Sequence, residues 1–149
     1  MTENRLSYTL DSTLESVNQA ETVAEQFAAL AGFSGDDVQE IAMAVREATI
    51  NAVLHGNKYS PDKKVYLTFE RLADKMMVTV RDEGPGFDVE SVPDPLAPEN
   101  LLKQSGRGIF LIRTYMDEVR YHKRDPGTEM VLIKRMRGAS ADAKEKATS

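Results

Sequence analysis

Residues 47–57 read Glu47-Ala-Thr-Ile-Asn51-Ala-Val-Leu-His55-Gly-Asn57 and end a long amphipathic pattern. At about 100° per residue, the side chains of Glu47 and Asn51 are four positions apart and reach the same patch of space. The same polar side of the predicted helix carries Glu40, Ala44 and His55. The opposite side, predicted to pack on a sheet, carries Val38, Ile41, Val45, Thr49 and Ala52.

Apolar residues flank this polar stripe, at Met43, Ile50 and Leu54. A solvated helix surface is the simpler interpretation of a single Glu–Asn pair. Apolar walls around a polar stripe are more typical of a pocket lining. On this stretch alone, both interpretations stay open.

A second polar patch, Asp82-Glu-Gly-Pro-Gly86-Phe87, follows a predicted strand. Side chains alternate along a strand, so Asp82 continues the side of Val78 and Val80, which is the predicted core side. A buried carboxylate is costly unless hydrogen-bond donors satisfy it, and the exocyclic amine of adenine is a suitable donor. Asp82 could equally cap the turn that follows it, and Gly84 and Gly86 suit both interpretations.

A third patch, Ser105-Gly106-Arg107-Gly108, opens a predicted helix. Helix N-termini present free N–H groups and a partial positive charge, which favour phosphate, and Lys103 and Arg107 add cations. A plain loop-to-helix junction would explain the same glycines. The Gly-x-x-x-x-Gly-Lys-Ser/Thr loop and the Gly-x-Gly-x-x-Gly fingerprint are both absent, so the sequence favours neither a P-loop nor a Rossmann site.

Periodicity and turn residues predict the remaining elements. Strands are predicted at 5–10, 64–71, 75–81, 118–123 and 128–136, and helices at 14–30, 34–55 and 107–116. Four prolines and two glycines predict a long irregular segment over 84–105, and small polar residues predict a disordered tail at 137–149. Helices and strands occur in blocks rather than in strict alternation, which predicts an α+β fold.

The composition is typical of one ordinary globular domain, with 149 residues of which 41% are hydrophobic and 29% charged. No apolar run approaches the ~20 residues of a membrane span, and the absence of cysteine excludes disulfides and thiolate metal sites. A net charge of −5 without a basic stripe disfavours direct nucleic-acid binding. We interpret the short basic cluster at 120–124 as a solvated strand end. His55 and His122 have no partner at ligand spacing, so no histidine metal cluster is predicted.

Taken in their order along the chain, the polar patches resemble those of the GHKL ATPase superfamily, and within it those of the bacterial anti-sigma-factor serine kinases. The matching segments are 47–57 for the N box, 82–87 and 106–110 for the two glycine boxes, and Gly127-Thr128 for the Gly-Thr of the last strand. Residues 108–119, Gly-Ile-Phe-Leu-Ile-Arg-Thr-Tyr-Met-Asp-Glu-Val, are similar to the anti-sigma kinase form in particular. The resemblance covers about residues 5–136.

This resemblance implies the Bergerat fold, a two-layer α/β sandwich of the α+β class with a mixed, mainly antiparallel sheet and helices on one face. It also implies a histidine-kinase-like ATPase domain over 1–136, with an ATP lid at about 88–105. In such a site Glu47 is the general base, Asn51 is the Mg²⁺ ligand, and Asp82, with Thr128 nearby, reads the adenine of ATP. The other residues implied in nucleotide binding are His55, Gly84, Gly86, Phe87, Lys103, Gly106, Arg107, Gly108, Ile109 and Phe110.

Members of the family bind a sigma factor and phosphorylate a serine of an anti-anti-sigma (STAS) protein, commonly as homodimers. The resemblance therefore implies a cytoplasmic protein serine kinase that uses ATP and Mg²⁺ and binds neither nucleic acid directly nor a membrane. Some members have an arginine where this chain has Gln104, which motivates an alternative: a non-catalytic ATP-binding switch, or anti-sigma module, that sequesters a partner. A histidine-kinase fragment is disfavoured because no histidine precedes residue 47.

Overall fold

The structure is a computed structural model that describes residues 4–84 and 104–136. Within these ranges the chain forms five strands, three α-helices and one π-helical segment. In chain order they are β1 (Arg5–Asp11), α1 (Leu14–Ala31), α2 (Gly35–Ile50), the π-helical segment (Asn51–Gly56), β2 (Lys64–Arg71), β3 (Lys75–Arg81), α3 (Gln104–Tyr115), β4 (Glu118–Lys123) and β5 (Thr128–Arg135).

The strands form one sheet in the order β1-β2-β3-β5-β4, and all four neighbouring pairs are antiparallel. The predicted α+β class and the mainly antiparallel sheet are confirmed. The expectation of a mixed sheet is wrong for the described strands, since none of their pairings is parallel. The register aligns Arg81 at the end of β3 with Glu129 near the start of β5. Asp82 therefore emerges from the sheet beside Thr128.

The hydrophobic core lies between the sheet and the helices. Along β3, Met76, Val78 and Val80 are buried while the alternate side chains stay partly exposed, as the period of two predicted. The helices contribute Val17, Phe27, Ile41, Val45 and Ile112 to the same cluster. One face of the sheet is thus covered by helices, which confirms the predicted two-layer arrangement.

The ends of α1 and α2 are fixed by local side-chain chemistry. Thr13 Oγ1 accepts a hydrogen bond from the backbone N–H of Ser16 at 3.2 Å, and Ser34 caps α2 in the same way through the N–H of Asp37 at 3.3 Å. Gly32, with φ +101°, ends α1 in the left-handed conformation that favours glycine. Thr13 is therefore the N-cap of α1.

The second helix differs from its prediction at its C-terminal end. It is α-helical only to Ile50 and continues as a π-helical segment, Asn51–Gly56, whose wider turn is seen in the bond from Asn57 N to Ala52 O at 2.8 Å. π-Helical turns are rare and often lie at functional sites. The third helix begins at Gln104, three residues before the predicted start at 107.

The predicted polar stripe on α2 does not line one continuous pocket. Glu40 forms an ion pair with Lys134 of β5, and Ala44 is fully buried. Glu47 and Asn51, further along, are half-buried and face α3. Only this second half of the stripe fits the interpretation of a pocket lining.

None of the described helices is long and apolar enough to cross a membrane.

Candidate functional site

The first half of the candidate site lies where α2 runs into its π-helical segment and meets α3. A Cβ atom placed on Gly108 would lie 3.1 Å from Glu47 Oε2 and 3.8 Å from Asn51 Oδ1. The predicted carboxylate and amide are thus brought together, and both face Gly108 at close range. Residues distant in sequence therefore meet at a point where a glycine lets α3 pack closely against an acid and an amide of α2 and its π-helical extension.

Asp82 forms the second half of the site, at the end of β3. Its side chain is 5% exposed, and Oδ1 accepts hydrogen bonds from the backbone N–H groups of Gly84 at 3.0 Å and Thr128 at 3.2 Å. The backbone N–H of Asp82 donates to Thr128 O at 3.0 Å. These bonds fasten β3, the following turn and β5 to one carboxylate.

The second carboxylate oxygen, Oδ2, lies against Gly56 at the end of the π-helical segment. A Cβ on Gly56 would approach Oδ2 to 2.3 Å, and a Cβ on Gly84 would approach the Gly56 carbonyl oxygen to 1.9 Å. Real Cβ atoms do not come so close, so both positions require glycine for the three backbones to pack. Within residues 4–84 and 104–136, Oδ2 accepts no hydrogen bond, in contrast to Oδ1.

Of the two sequence interpretations of Asp82, the turn cap is confirmed, and the contact with adenine stays a prediction. Oδ1 caps the turn, as the simpler interpretation expected, because it accepts from Gly84. Backbone donors of Gly84 and Thr128 therefore offset the burial of this oxygen. Oδ2 is left to accept from a donor outside the described protein groups.

Thr128 adds an orphaned polar atom to this region. Its side chain is buried, and Oγ1 has no hydrogen-bond partner among the described residues. A buried hydroxyl without a partner is uncommon and calls for an explanation such as a ligand or a water. Since the Thr128 backbone is bonded to Asp82, an acceptor and a hydroxyl stand together, as an adenine ring with its amine would require.

Burial raises the pKa of Asp82 above its ordinary value of 3.8, and the backbone N–H groups of Gly84 and Thr128 oppose this effect. Between pH 3.8 and the raised pKa of folded Asp82, the folded state keeps a proton on this carboxyl that the unfolded state has released. The contribution of Asp82 to the free energy of unfolding therefore falls as pH rises through this range.

We predict that the free energy of unfolding of the wild type, relative to an Asp82→Asn variant, decreases as pH rises from 3.8 through the raised pKa of folded Asp82. The asparagine cannot titrate but can keep the acceptor oxygen toward the two backbone N–H groups. Urea unfolding of both proteins at a series of pH values measures the difference. A difference that does not vary with pH, or that rises with it, would contradict the prediction.

Asn57 is a site residue that the sequence analysis did not single out. It is 1% exposed, and its Nδ2 donates to Ser12 Oγ and to Lys64 O, both at 2.9 Å. Its Oδ1 accepts from the backbone N–H of Glu83 at 2.8 Å. Asn57 therefore joins the chain before α1, the start of β2 and the Asp82 turn. An asparagine after a glycine reads locally as a helix end, so nothing in the sequence signalled these distant partners.

We expect Asn57→Ala to lower the free energy of unfolding by about 2 kcal/mol, because buried partners lose their hydrogen bonds. Asn18→Ala is the matched control, since Asn18 is exposed and makes one side-chain bond, from Arg46 Nη1 at 2.8 Å. That variant should change stability by no more than about 0.5 kcal/mol. Thermal or urea unfolding measures both. Equal effects of the two substitutions would show that the Asn57 bonds contribute nothing special.

The other predicted site residues are distributed unevenly. Gly84, Gly108 and Ile109 are buried near the two halves of the site, whereas Phe110 and His55 are exposed. Gly106 and Arg107 belong to the first turn of α3. Gly86, Phe87 and Lys103 lie outside the described residues, as do the predicted tail and all but the end of the predicted lid.

The described residues contain no group of three His, Asp or Glu side chains arranged to hold a metal ion. A protein-only cation cage is therefore absent from residues 4–84 and 104–136. Mg²⁺ usually binds differently, through one or two protein ligands together with waters and substrate phosphates. The Asn51 amide oxygen beside Gly108 fits that sparse requirement.

Comparisons with known proteins show the family to which the chain belongs. A family model described as a histidine kinase-like ATPase domain matches residues 10–134. The chain is 31% identical over 140 residues to "Serine-protein kinase RsbW" of Staphylococcus epidermidis, covering 89% of this chain and 87% of that protein. It is 32% identical over 117 residues to the protein of the same name from Bacillus subtilis, covering 74% of this chain and 72% of the relative.

Two solved structures are similar in fold. The structure of the RsbU and RsbW domains of a Mycobacterium tuberculosis protein matches with a TM-score of 0.64 at 18% identity, covering 90% of this chain and 32% of that longer chain. The catalytic domain of histidine kinase ThkA matches with a TM-score of 0.58 at 16% identity, covering 88% of this chain and 98% of that one. At these identities the likeness concerns the fold alone.

Proposed function

The chain belongs to the histidine kinase-like ATPase family, and on that premise we propose that it is an ATP-dependent protein serine kinase that acts as an anti-sigma factor. The relatives named serine-protein kinase support the reaction type. The observation that carries the proposal is the convergence of Glu47 and Asn51 on Gly108, together with a buried Asp82 whose Oδ2 has no donor within residues 4–84 and 104–136.

Asp82 and Thr128 are proposed to bind the adenine of ATP. Oδ2 of Asp82 accepts from the exocyclic amine, and the orphaned Thr128 hydroxyl takes the remaining polar contact of the base. Both groups are buried, so their bonds to a base are formed away from competing water. The Gly56–Gly84 contact holds the end of the π-helical segment against the turn after Asp82, at a distance that only glycine allows.

Asn51 is proposed to hold Mg²⁺ through its amide oxygen. When bound, the ion neutralises charge on the phosphates of ATP, which is the main requirement for phosphoryl transfer. The role of the chain is to fix this amide at the end of α2, four residues after the acid that reacts.

Glu47 is proposed as the general base. It takes the proton of the attacking serine hydroxyl as the bond from that oxygen to the γ-phosphorus forms and the bond to the β-phosphate oxygen breaks. The carboxylate is half-buried beside Gly108, whose lack of a side chain lets α3 approach it closely. Positioning and charge neutralisation suffice for this reaction, so no covalent enzyme intermediate is required.

The partners follow from the same proposal. The serine belongs to a STAS-type anti-anti-sigma protein, and the sigma factor is the second partner, bound by a homodimer of this chain in the cytoplasm, where transcription takes place.

The test is phosphate transfer in a purified system. The chain, Mg-ATP labelled at the γ-phosphate and each STAS protein of the source genome are combined, and phosphoserine on the acceptor is sought by mass spectrometry. Calorimetry with ATP, with and without Mg²⁺, is run in parallel. Labelled acceptor together with magnesium-dependent binding supports the proposal. Nucleotide or sigma-factor binding without transfer to any acceptor would instead indicate the non-catalytic switch.

A further inference from the structure

Lys134 lies in β5 on the side of the sheet that faces the helices, paired in register with buried Met76. Its side chain is 1% exposed, although lysine is seldom fully buried unless it is paired. Neither the nucleotide site nor the catalytic groups involve it. The fold therefore maintains a buried cation for which the proposed reaction gives no direct use.

Three partners surround the ammonium group. Nζ donates to the backbone oxygen of Tyr115 at 2.6 Å and to Glu40 Oε2 at 3.1 Å, and it lies 3.9 Å from Asp37 Oδ1. Tyr115 is the last residue of α3, where carbonyl oxygens have no partner within the helix and a positive charge is favourable. Asp37 and Glu40 lie in the first turns of α2. Lys134 thus joins the C-terminal end of α3 to the N-terminal end of α2.

The other ends of the same two helices carry the proposed catalytic residues. Gly108, in the N-terminal half of α3, faces Glu47 and Asn51 near the end of α2, so the two helices run antiparallel. At 1.5 Å per residue, Gly108 is about 10 Å from Tyr115, the end of α3 that Lys134 contacts. A tilt of about 6° around that end would move Gly108 by about 1 Å, and displacements of that size can reduce a rate about a hundredfold.

We propose that Lys134 is a positioning residue that fixes α3 against α2 and thereby sets the separation of Gly108 from Glu47 and Asn51. This inference rests on the proposed kinase function, since it assigns Lys134 a role in the geometry of that site. A purely structural role is the competing explanation. The two differ in what they predict, because removing one partner of a buried ion pair lowers the stability of the fold in either case, whereas only a positioning role also lowers kcat per folded molecule.

The experiment compares Lys134→Met with Glu40→Ala and with the control Phe27→Leu. Phe27 lies in the C-terminal half of α1 and packs on Phe69 of β2, with ring centroids 5.4 Å apart. Phosphotransfer, ATP affinity and backbone hydrogen exchange are measured on each full-length protein, with rates expressed per folded molecule. Glu40→Ala removes a partly exposed partner, so it provides a second test if Lys134→Met does not fold.

We expect kcat to fall at least about tenfold in Lys134→Met and about threefold in Glu40→Ala, with the Kd for ATP within about threefold of the wild type. Hydrogen exchange should increase selectively in α3. Rates per folded molecule equal to those of Phe27→Leu, or a raised KM with unchanged kcat, would overturn the proposal. If the wild type itself transfers no phosphate, the kinase function is wrong. Unchanged hydrogen exchange in α3 of Lys134→Met would separately show that Lys134 does not fix α3 against α2.

Discussion

A Glu47→Gln variant is expected to bind ATP as the wild type does and to transfer phosphate at least about a hundredfold more slowly, as is typical when a general base is lost. Glutamine has nearly the same size as glutamate, so its side chain can keep the same position beside Gly108. A Cβ placed on that glycine would lie 3.1 Å from Glu47 Oε2. What changes is proton affinity, because an amide cannot take the proton of the serine hydroxyl. Binding relies on other residues, chiefly Asp82, Thr128 and Asn51.

Single-turnover transfer from labelled ATP to the STAS acceptor measures the rate, and calorimetry measures the Kd for ATP. Glu15→Gln, on the exposed first turn of α1, is the matched control for loss of one carboxylate and should keep the wild-type rate. A Glu47→Gln rate within about threefold of the wild type would exclude Glu47 as the base. Loss of ATP binding in that variant would instead assign Glu47 to the nucleotide contacts.

Features with a local signature could be predicted from the sequence. The alternation Met76, Val78, Val80 predicted the core face of β3 and the inward direction of Asp82. The period of α2 placed Glu47 and Asn51 on one side, because i and i+4 side chains meet on any helix. The turn at residues 125–127 placed Thr128 at the start of the last strand.

Features that depend on distant contacts could not be predicted. The Gly56–Gly84 contact and the three bonds of Asn57 join segments whose separation in space no local pattern encodes. Lys134 illustrates the same limit, because a lysine in a strand is ordinarily expected at the surface. Its burial follows from Asp37, Glu40 and the end of α3, all contributed by other elements. The π-helical segment likewise left no signal distinct from an ordinary helix end.

Asp82→Asn is expected to weaken ATP binding by about 3 kcal/mol, or on the order of a hundredfold in Kd. The orientation of the new amide is fixed by its surroundings. The two backbone N–H groups that now donate to Oδ1 can face only an acceptor, so the amide oxygen must occupy that position. The NH₂ group is then forced to the position of Oδ2 beside Gly56.

A donor at that position would meet the exocyclic amine of adenine, which is also a donor. The variant therefore replaces a charge-assisted hydrogen bond with two opposed N–H groups, and both lose their partner in a buried site. The folded protein itself keeps its bonds to Gly84 and Thr128, so stability at neutral pH should be retained or increased. This combination separates a ligand contact from a structural one, because a merely turn-capping Asp82 would leave nucleotide affinity unchanged.

Calorimetry with ATP and with GTP measures the effect, and Asp74→Asn in the exposed β2–β3 turn is the control of equal charge change. Asp74→Asn should bind ATP as the wild type does. Guanine carries a carbonyl oxygen where adenine carries its amine, so the NH₂ group of Asp82→Asn can donate to it. The ratio of ATP to GTP affinity should thus fall further than ATP affinity alone. A Kd for ATP within about threefold of the wild type would remove Asp82 from the adenine site, whereas equal losses for both nucleotides would indicate a collapsed pocket rather than a lost base contact.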